Sequence, residues 1–140
     1  MQSLILDTNV IVSALIAKNS PPSRIVDELV LNRKVQLCTS DEIMAEYIEV
    51  LAREKFSRFP DFKSRAEHLV NRLYEISAKF TPDTRLDIIT DEGDNRFLEL
   101  ALAARADFLI TGNTNDFTVQ SIGHTRILTP RDYCDSFWPE

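Results

Sequence analysis

The sequence predicts one α/β domain of three layers, in which helices cover both faces of a central, mostly parallel sheet. Short apolar strand candidates alternate with amphipathic helix candidates along the chain. Of the 140 residues, 44% are hydrophobic, and no Gly/Ser-rich or Pro-rich linker divides them. Strands separated by helices pair in parallel through right-handed crossovers. Ligands of such sheets bind outside the carboxyl ends of the strands, which is where we expect the functional residues.

Capping residues mark the elements of the first half. The apolar run Val10–Ile16 fits a buried helix or a continued strand, and the polar residues before it favour the helix. A serine followed by a proline, Ser20-Pro21, is a helix start, and Thr39 with Glu42 is typical of a capping box. We expect strands at Ser3–Leu6 and Val35–Cys38, and helices at Val10–Ile16, from Pro21 to about Asn32, and from the Thr39 cap to about Lys55.

The second half continues the alternation. Pro60 interrupts the helical pattern, and a new amphipathic helix begins at about Asp61. A third strand is expected at either Ala78–Thr81 or Asp87–Thr90, and the sequence does not decide between them. A strong amphipathic helix follows at Asp91–Ala106, and then come strands at Asp107–Thr111 and Arg126–Leu128.

Composition excludes several classes of protein. The net charge of −6 argues against a protein that holds nucleic acid by its own positive charge, so phosphate chemistry here would need bound cations. Cys38 and Cys134 are far apart and lack metal-ligand spacing, which argues against a disulfide or zinc framework. No basic segment precedes the apolar run at the N-terminus, and a carboxylate interrupts that run, so we expect a cytoplasmic protein with no membrane span.

Four carboxylates are expected at the carboxyl edge of the predicted sheet. Asp7 directly follows the first strand, and Asp94 leads the apolar stripe of its helix although a buried acid is costly without a positive partner. Glu46 lies one turn into a helix that leaves the same edge, and Asp116 lies in the polar loop after the strand closed by Gly112. Each has an ordinary explanation when taken alone: Asp7 as a helix cap, Asp94 as an acceptor for the free amides of a first turn capped by Asp91, Glu46 as a solvated glutamate and Asp116 as a turn or cap residue.

Taken together, the four acids predict a cation site. Like charges within a few ångströms of each other raise one another's pKa or bind a cation. Oxygen ligands alone favour a hard metal such as Mg²⁺ or Mn²⁺. Such ions suit the hydrolysis of phosphodiester bonds, because they can activate a water molecule and stabilise the leaving oxygen.

These residues also carry a resemblance to a known family. The motifs are Leu6-Asp7-Thr8-Asn9-Val10, Glu46 in a capped helix, Asp91-Glu92-Gly93-Asp94-Asn95 followed by an apolar stripe, and Ala106–Asn113. In this order and spacing they resemble the PIN-domain nucleases, particularly the toxin components of prokaryotic type II toxin–antitoxin pairs (VapC-like). The resemblance spans nearly the whole chain and implies a Rossmann-like topology in a single domain covering residues 1–140.

The resemblance also implies a function. It implies a metal-dependent endoribonuclease with RNA as substrate, a Mg²⁺ or Mn²⁺ site, a homodimer, and a small protein antitoxin that blocks the site. The metal ligands would be Asp7, Glu46, Asp94 and Asp116, and the residues that support them would be Thr8, Asn9, Thr111 and Asn113. Many relatives have an aspartate where this chain has Asn113, which puts the second metal ion in question.

A run of basic residues is a candidate for substrate binding. Its usual meaning is a solvated surface, and the alternative is a track for the RNA backbone. Phenylalanines are interleaved with these charges, and they favour core packing or a protein contact over base stacking. The candidate basic residues are Arg53, Lys55, Arg58 and, in a later helix, Arg96.

Two other functions fit the same pattern. A receiver-like signalling domain also groups acids at the carboxyl edge of a doubly wound sheet. It normally has adjacent acids near the first strand and a lysine after a late one, and neither is obvious here. A non-catalytic PIN-like domain that binds only RNA or a partner is the other alternative, and Asn113 favours it.

Overall fold

The computed structural model describes residues 1–89, 91–112 and 119–140. In these ranges the chain forms six strands in the spatial order β3-β2-β1-β4-β6-β5. The strands are β1 Ser3–Leu6, β2 Gln36–Thr39, β3 Ala78–Lys79, β4 Phe108–Ile110, β5 Ser121–Ile122 and β6 Thr125–Leu128. The helices are α1 Thr8–Ile16, α2 Pro21–Arg24, α3 Asp41–Leu51, α4 Phe62–Ile76, α5 Glu92–Ala104 and α6 Pro130–Ser136.

The order of the strands places a crevice at the centre of the sheet. From β1 the chain moves outward through β2 to β3, and α5 then carries it back to β4 on the other side of β1. With right-handed crossovers, α1 to α4 cover one face of the sheet and α5 covers the other. The predicted three-layer, mostly parallel class is confirmed. The direction of winding reverses between β1 and β4, and this switch point is where open α/β sheets bind ligands.

The two central strands form the middle of the core. Leu4, Ile5 and Leu6 of β1 and Leu109 and Ile110 of β4 have no solvent-exposed surface. Such continuous burial is typical of parallel strands that are covered on both faces. The rigid centre of the sheet therefore carries the two strand ends that meet at the switch point.

Several predicted boundaries change in the structure. Ser40 caps α3 by accepting a hydrogen bond from the Ile43 amide, so the predicted cap at Thr39 is wrong. The Thr39 hydroxyl lies instead 2.9 Å from the Ser77 hydroxyl across β2 and β3. Helix α3 ends at Leu51 rather than near Lys55. Of the two candidates for the third strand, the first is confirmed as β3, and residues 87–89 form no strand.

The sequence did not predict a π-helical segment, the strand β5 or the helix α6. The helix that begins at Pro21 continues from Ile25 to Val30 with π-helical hydrogen bonding, in which each bond spans five residues. The short strand β5 pairs antiparallel with β6, and α6 begins at Pro130 after a threonine cap. Helix α6 packs against α2 and so fixes the C-terminal segment to the body of the domain.

Residues 81–89 form an irregular segment that two buried polar side chains of α5 hold in place. The Asn95 side chain accepts hydrogen bonds from the amides of Ile88 and Ile89 and donates to the Ile89 carbonyl. Glu99, only 2% exposed, accepts from the Leu86 amide. Both side chains replace the backbone partners that an irregular segment lacks.

Glu99 is also paired with two arginines. Arg85 lies 3.1 Å from one of its carboxylate oxygens and Arg96 lies 2.9 Å from the other. Arg85 also forms a two-point ion pair with Glu42 at the start of α3. This network connects the first turn of α3, which follows the end of β2, to the middle of α5 through the irregular segment.

Two further predictions concern a membrane span and the cysteines. Among the described residues, no helix has both the length and the apolar character that a bilayer crossing requires. Cys38 and Cys134 are free thiols. Burial, with a smaller contribution from Asp107, raises the pKa of the Cys38 thiol to about 11, so this thiol stays protonated at neutral pH.

Replacing Asn95 with alanine is expected to destabilise the domain. The Ile88 and Ile89 amides would lose their acceptor, and a buried donor without a partner costs about 1–3 kcal/mol. We expect a loss of about 2–4 kcal/mol in the free energy of unfolding, measured by urea denaturation. Asn71→Ala, on the exposed side of α4, is the matched control and should change stability by less than about 0.5 kcal/mol. Equal effects of the two substitutions would contradict the role assigned to Asn95.

Candidate functional site

Asp7 lies at the switch point, between the end of β1 and the start of α1. Its backbone amide donates to the Ile110 carbonyl of β4, which fixes it across the crevice. One carboxylate oxygen, Oδ1, caps α1 by accepting from the Thr8 amide at 2.7 Å. The other, Oδ2, accepts from the Thr111 hydroxyl at 2.7 Å and from the Asn9 side chain at 3.3 Å. The Asp7 carboxylate therefore caps α1 and also accepts hydrogen bonds from the Thr111 and Asn9 side chains. The residue is largely buried, with 7% of its surface exposed.

Glu46 reaches the same place from α3. The Thr8 hydroxyl, directly after Asp7, donates a hydrogen bond to Glu46 Oε2. Because Thr8 is the first residue of α1, this bond joins α1 to α3 at the carboxyl edge of the sheet. Glu46, which taken by itself would be an ordinary solvated glutamate, is therefore held close to a second acid, Asp7.

Helix α5 approaches Glu46 through Gly93. A Cβ atom built on Gly93 would lie 2.9 Å from Glu46 Oε1 and 3.0 Å from Asp91 Oδ1. The absence of a side chain therefore lets the first turn of α5 contact the Glu46 carboxylate. Asp94 is the next residue and is half-buried, and its amide donates to the Asp91 cap. The structure brings the segments that carry Asp7, Glu46 and Asp94 to one edge of the sheet.

Helix N-termini partly balance the charge of these acids. Helices α1, α3 and α5 each begin at this edge, capped by Asp7, Ser40 and Asp91 respectively. The N-terminus of a helix carries a partial positive charge and unpaired amides, so it stabilises nearby carboxylates. Glu46 makes no ion pair with a lysine or arginine among the described residues. The remaining negative charge of the site suits a bound cation.

The end of β4 closes the site from the other side. The Gly112 amide donates to the Asn9 side chain at 3.0 Å, and Thr111 is fully buried against Asp7. Thr8, Asn9 and Thr111 lie around Asp7 and Glu46, and their role in supporting a metal site stays a prediction. Asn113 and Asp116, the other two residues predicted for this site, lie outside the described residues.

The oxygen donors of the site suit a hard metal ion. Within residues 1–89, 91–112 and 119–140, no three acidic, histidine or cysteine side chains already surround one point as metal ligands. The carboxylates of Asp7, Glu46 and Asp94 are the type of ligand that Mg²⁺ and Mn²⁺ prefer. Their fit to such an ion rests on this chemistry and on the close approach of α5 to Glu46 at Gly93.

The predicted basic residues lie elsewhere. Arg53, Lys55 and Arg58 are exposed around the connection between α3 and α4. Arg53 pairs with Glu49, Lys55 lies over the Phe56 ring and Arg58 over the Phe59 ring. Phe56 is buried and stacks on Phe62 at 4.9 Å between ring centres, so these phenylalanines take part in core packing as expected.

Arg96 has structural partners. Its guanidinium pairs with buried Glu99 and donates to the Leu86 carbonyl. These contacts fix the irregular segment to α5. They give Arg96 a structural role that the sequence did not indicate, and its role in substrate binding stays a prediction.

The sequence analysis missed two residues of the site. Gly93 stands where a helix would favour alanine, and a glycine at such a place signals a close approach by another group. Tyr47 is fully buried beside Glu46, and its hydroxyl donates to the Leu6 carbonyl. Burial, followed by the nearby carboxylates of Asp7 and Glu46, raises the pKa of the Tyr47 phenol well above its usual value. A tyrosine in an apolar stripe gave no sign of this contact.

Comparison with known proteins identifies the family. The model of the PIN domain family matches residues 3–115, so this chain belongs to the PIN domain family. The chain is also 26% identical over 142 aligned residues to the uncharacterised protein MJ1680 of Methanocaldococcus jannaschii, covering 96% of this chain and 90% of that protein. Family membership confirms the resemblance and favours the nuclease hypothesis over a receiver-like domain.

Solved structures show the same fold. A chain of VapBC2 from Rickettsia felis, bound to a promoter DNA fragment, superposes with a TM-score of 0.59 at 14% identity, covering 91% of this chain and 98% of that one. A chain of DNA-bound VapBC from Salmonella typhimurium gives 0.59 at 19% identity, with 93% and 99% covered. A chain of FitAB bound to a DNA fragment gives 0.57 at 20% identity, with 91% and 94% covered.

The contact between Gly93 and Glu46 can be tested with a double-mutant cycle. Gly93→Ala is expected to keep the fold, because alanine favours a helix and the flexible end of Glu46 can move away from the new methyl group. That movement should break the bond to Thr8. Thr8→Val should then cost about 1.5 kcal/mol or more in the wild-type background and clearly less in the Gly93→Ala background.

Urea denaturation of the four proteins of this cycle, and of two more in a control background, measures the coupling. Gly123→Ala, at a glycine with a φ of 55° next to Leu102, is the control background, since it strains the chain away from Glu46. Thr8→Val should cost as much there as in the wild type. Equal costs of Thr8→Val in all three backgrounds would show that Gly93 does not position Glu46.

Proposed function

We propose that this protein is a metal-dependent endoribonuclease that hydrolyses RNA phosphodiester bonds, and that it is the toxin of a toxin–antitoxin pair. The observation that carries the proposal is the meeting of three acid-bearing segments at the switch point of the sheet. Thr8 joins Asp7 to Glu46, and Gly93 brings the first turn of α5 against Glu46. Membership of the PIN domain family supports the same reaction class.

The four acids are proposed to bind the metal ion or to act beside it. Asp7, Asp94 and Asp116 would bind Mg²⁺ or Mn²⁺, and Glu46 would bind the same ion or position the attacking water molecule. A bound ion of this kind lowers the pKa of a water ligand and stabilises charge on the phosphate and the leaving oxygen. Thr111, Asn9 and the Thr8 amide hold the Asp7 carboxylate in one orientation before the substrate arrives.

The negative charge of the protein is consistent with a reaction in which a bound cation contacts the phosphate. A chain with a net charge of −6 attracts RNA poorly over long distances, so a cation at the acidic edge would supply the contact with phosphate. The exposed residues Arg53, Lys55 and Arg58 would contact the RNA backbone. Such a nuclease would act on RNA in the cytoplasm.

The proposed protein partners are a small antitoxin and a second copy of this chain. Solved relatives of the same fold are components of VapBC and FitAB complexes, which supports an antitoxin. An apolar groove of about 330 Å³ between α3 and α4 offers a surface for a protein contact. Ile48, which is 56% exposed, lies on this groove together with Leu51, Ala66 and Val70.

The substitutions Asp7→Asn and Asp94→Asn are expected to abolish RNA cleavage. Each removes a negative charge and an oxygen ligand while keeping the size of the side chain, so the fold should survive. We expect cleavage of a labelled RNA in Mg²⁺ to fall at least about 100-fold, which corresponds to about 2.7 kcal/mol in the activation barrier. The same variants should lose the growth arrest caused by expression of the wild type.

The matched control is Asp83→Asn, which makes the same chemical change at an exposed residue of the irregular segment. It should cleave RNA like the wild type. EDTA should stop cleavage by the wild type, and added Mg²⁺ or Mn²⁺ should restore it. Unchanged cleavage by both Asp7→Asn and Asp94→Asn, with a preparation free of other nucleases, would refute the proposed site.

A further inference from the structure

We propose that Tyr47 is a positioning residue for the metal site, because its buried hydroxyl fixes the backbone that carries Asp7 while the preceding residue of the chain, Glu46, fixes the other side of the same turn. This inference rests on the proposed function, since it assigns a further role at the proposed metal site. In this role Tyr47 is not itself a metal ligand and acts through the backbone next to Asp7.

The first step of the argument is the partner of the Tyr47 hydroxyl. Strand β1 pairs with β2 at Ser3 and Leu4, whereas Leu6, its last residue, lies beyond these paired residues and pairs with Ile110 of β4 on its other side. The Tyr47 hydroxyl donates to the Leu6 carbonyl at 2.5 Å. A side chain of α3 thus takes the place that a neighbouring strand would occupy, immediately before Asp7.

The second step is the pair of contacts that α3 makes with this turn. Tyr47 binds the backbone before Asp7, and Glu46 accepts from the Thr8 side chain after it. Two successive residues of one helix therefore hold the turn on both sides of Asp7. Loss of the Tyr47 contact would leave the turn and α3 joined on one side only, so the distance between the Asp7 and Glu46 carboxylates would be less well fixed.

The third step is the burial of the donor. Tyr47 has no exposed surface, and a buried hydroxyl keeps its hydrogen-bond partner. The bond to the Leu6 carbonyl is therefore a fixed part of the turn that carries Asp7.

The fold provides a matched control in Tyr133. It is also fully buried, and its hydroxyl makes a hydrogen bond of the same length, 2.5 Å, to the Gln2 side chain. Gln2 precedes β1, so this contact lies at the amino edge of the sheet, opposite the acidic site. Removal of either hydroxyl deletes one hydrogen bond, which is buried at Tyr47 and partly buried at Tyr133. Of the two tyrosines, Tyr47 is the one that lies next to the acids.

The experiment measures the affinity of wild type, Tyr47→Phe and Tyr133→Phe for Mn²⁺ by isothermal titration calorimetry. Loss of a group that orients metal ligands typically weakens metal binding about 10–100-fold. We expect Tyr47→Phe to bind Mn²⁺ at least about 10-fold more weakly and Tyr133→Phe to bind like the wild type. The rise in thermal midpoint on addition of Mn²⁺ is a second measure of affinity, which also serves for a variant of reduced stability.

The outcomes separate this inference from the proposed function. Equal Mn²⁺ affinity of the wild type and Tyr47→Phe would overturn the role of Tyr47 and leave the metal site standing. An equal loss in both variants would show that the effect is one of general stability, which also overturns it. Absence of Mn²⁺ binding by the wild type itself would overturn the metal site and, with it, the positioning role.

Discussion

The fold holds carboxylates together at one edge of the sheet, and the rest of the structure depends on the contacts that stabilise them there. The critical contact is the hydrogen bond from Thr8 to Glu46 beside Asp7, because it joins the first two crossovers at the point where their acids meet. Polar donors surround Asp7, and three helix N-termini add partial positive charge. These contacts stabilise the acids without neutralising them, and they leave a site that suits a divalent cation.

The rest of the fold keeps these elements in register. The reversal of winding between β1 and β4 creates the crevice, and fully buried strands make its walls rigid. Asn95 and Glu99 hold the irregular segment on α5, and Arg85 connects it to Glu42 on α3. Glu99 is buried, so removal of its arginine partners would be costly, whereas the ion pair of Arg85 with Glu42 is exposed. Together these ion pairs connect α3 to α5.

Much of the architecture followed from sequence patterns, and the site followed in part. Alternating strands and helices predicted the sheet and its acidic edge, because parallel strands place their carboxyl ends together. Tyr47 and Glu99 could not be found in this way, since a tyrosine in an apolar stripe and a glutamate on a helix have no local mark of their distant partners. The cap at Ser40 was missed because Thr39, one residue earlier, has an equally suitable side chain.

The central claim is that the acids of this edge share one divalent cation. The most direct test is a crystal structure of the protein grown with Mn²⁺, in which anomalous scattering locates the ion without reference to its ligands. The account predicts an anomalous peak at the switch point, with oxygens of Asp7 and of Glu46 or Asp94 bound to it. A structure with Mn²⁺ bound elsewhere, or with Asp7 and Asp94 facing separate regions of solvent, would contradict it.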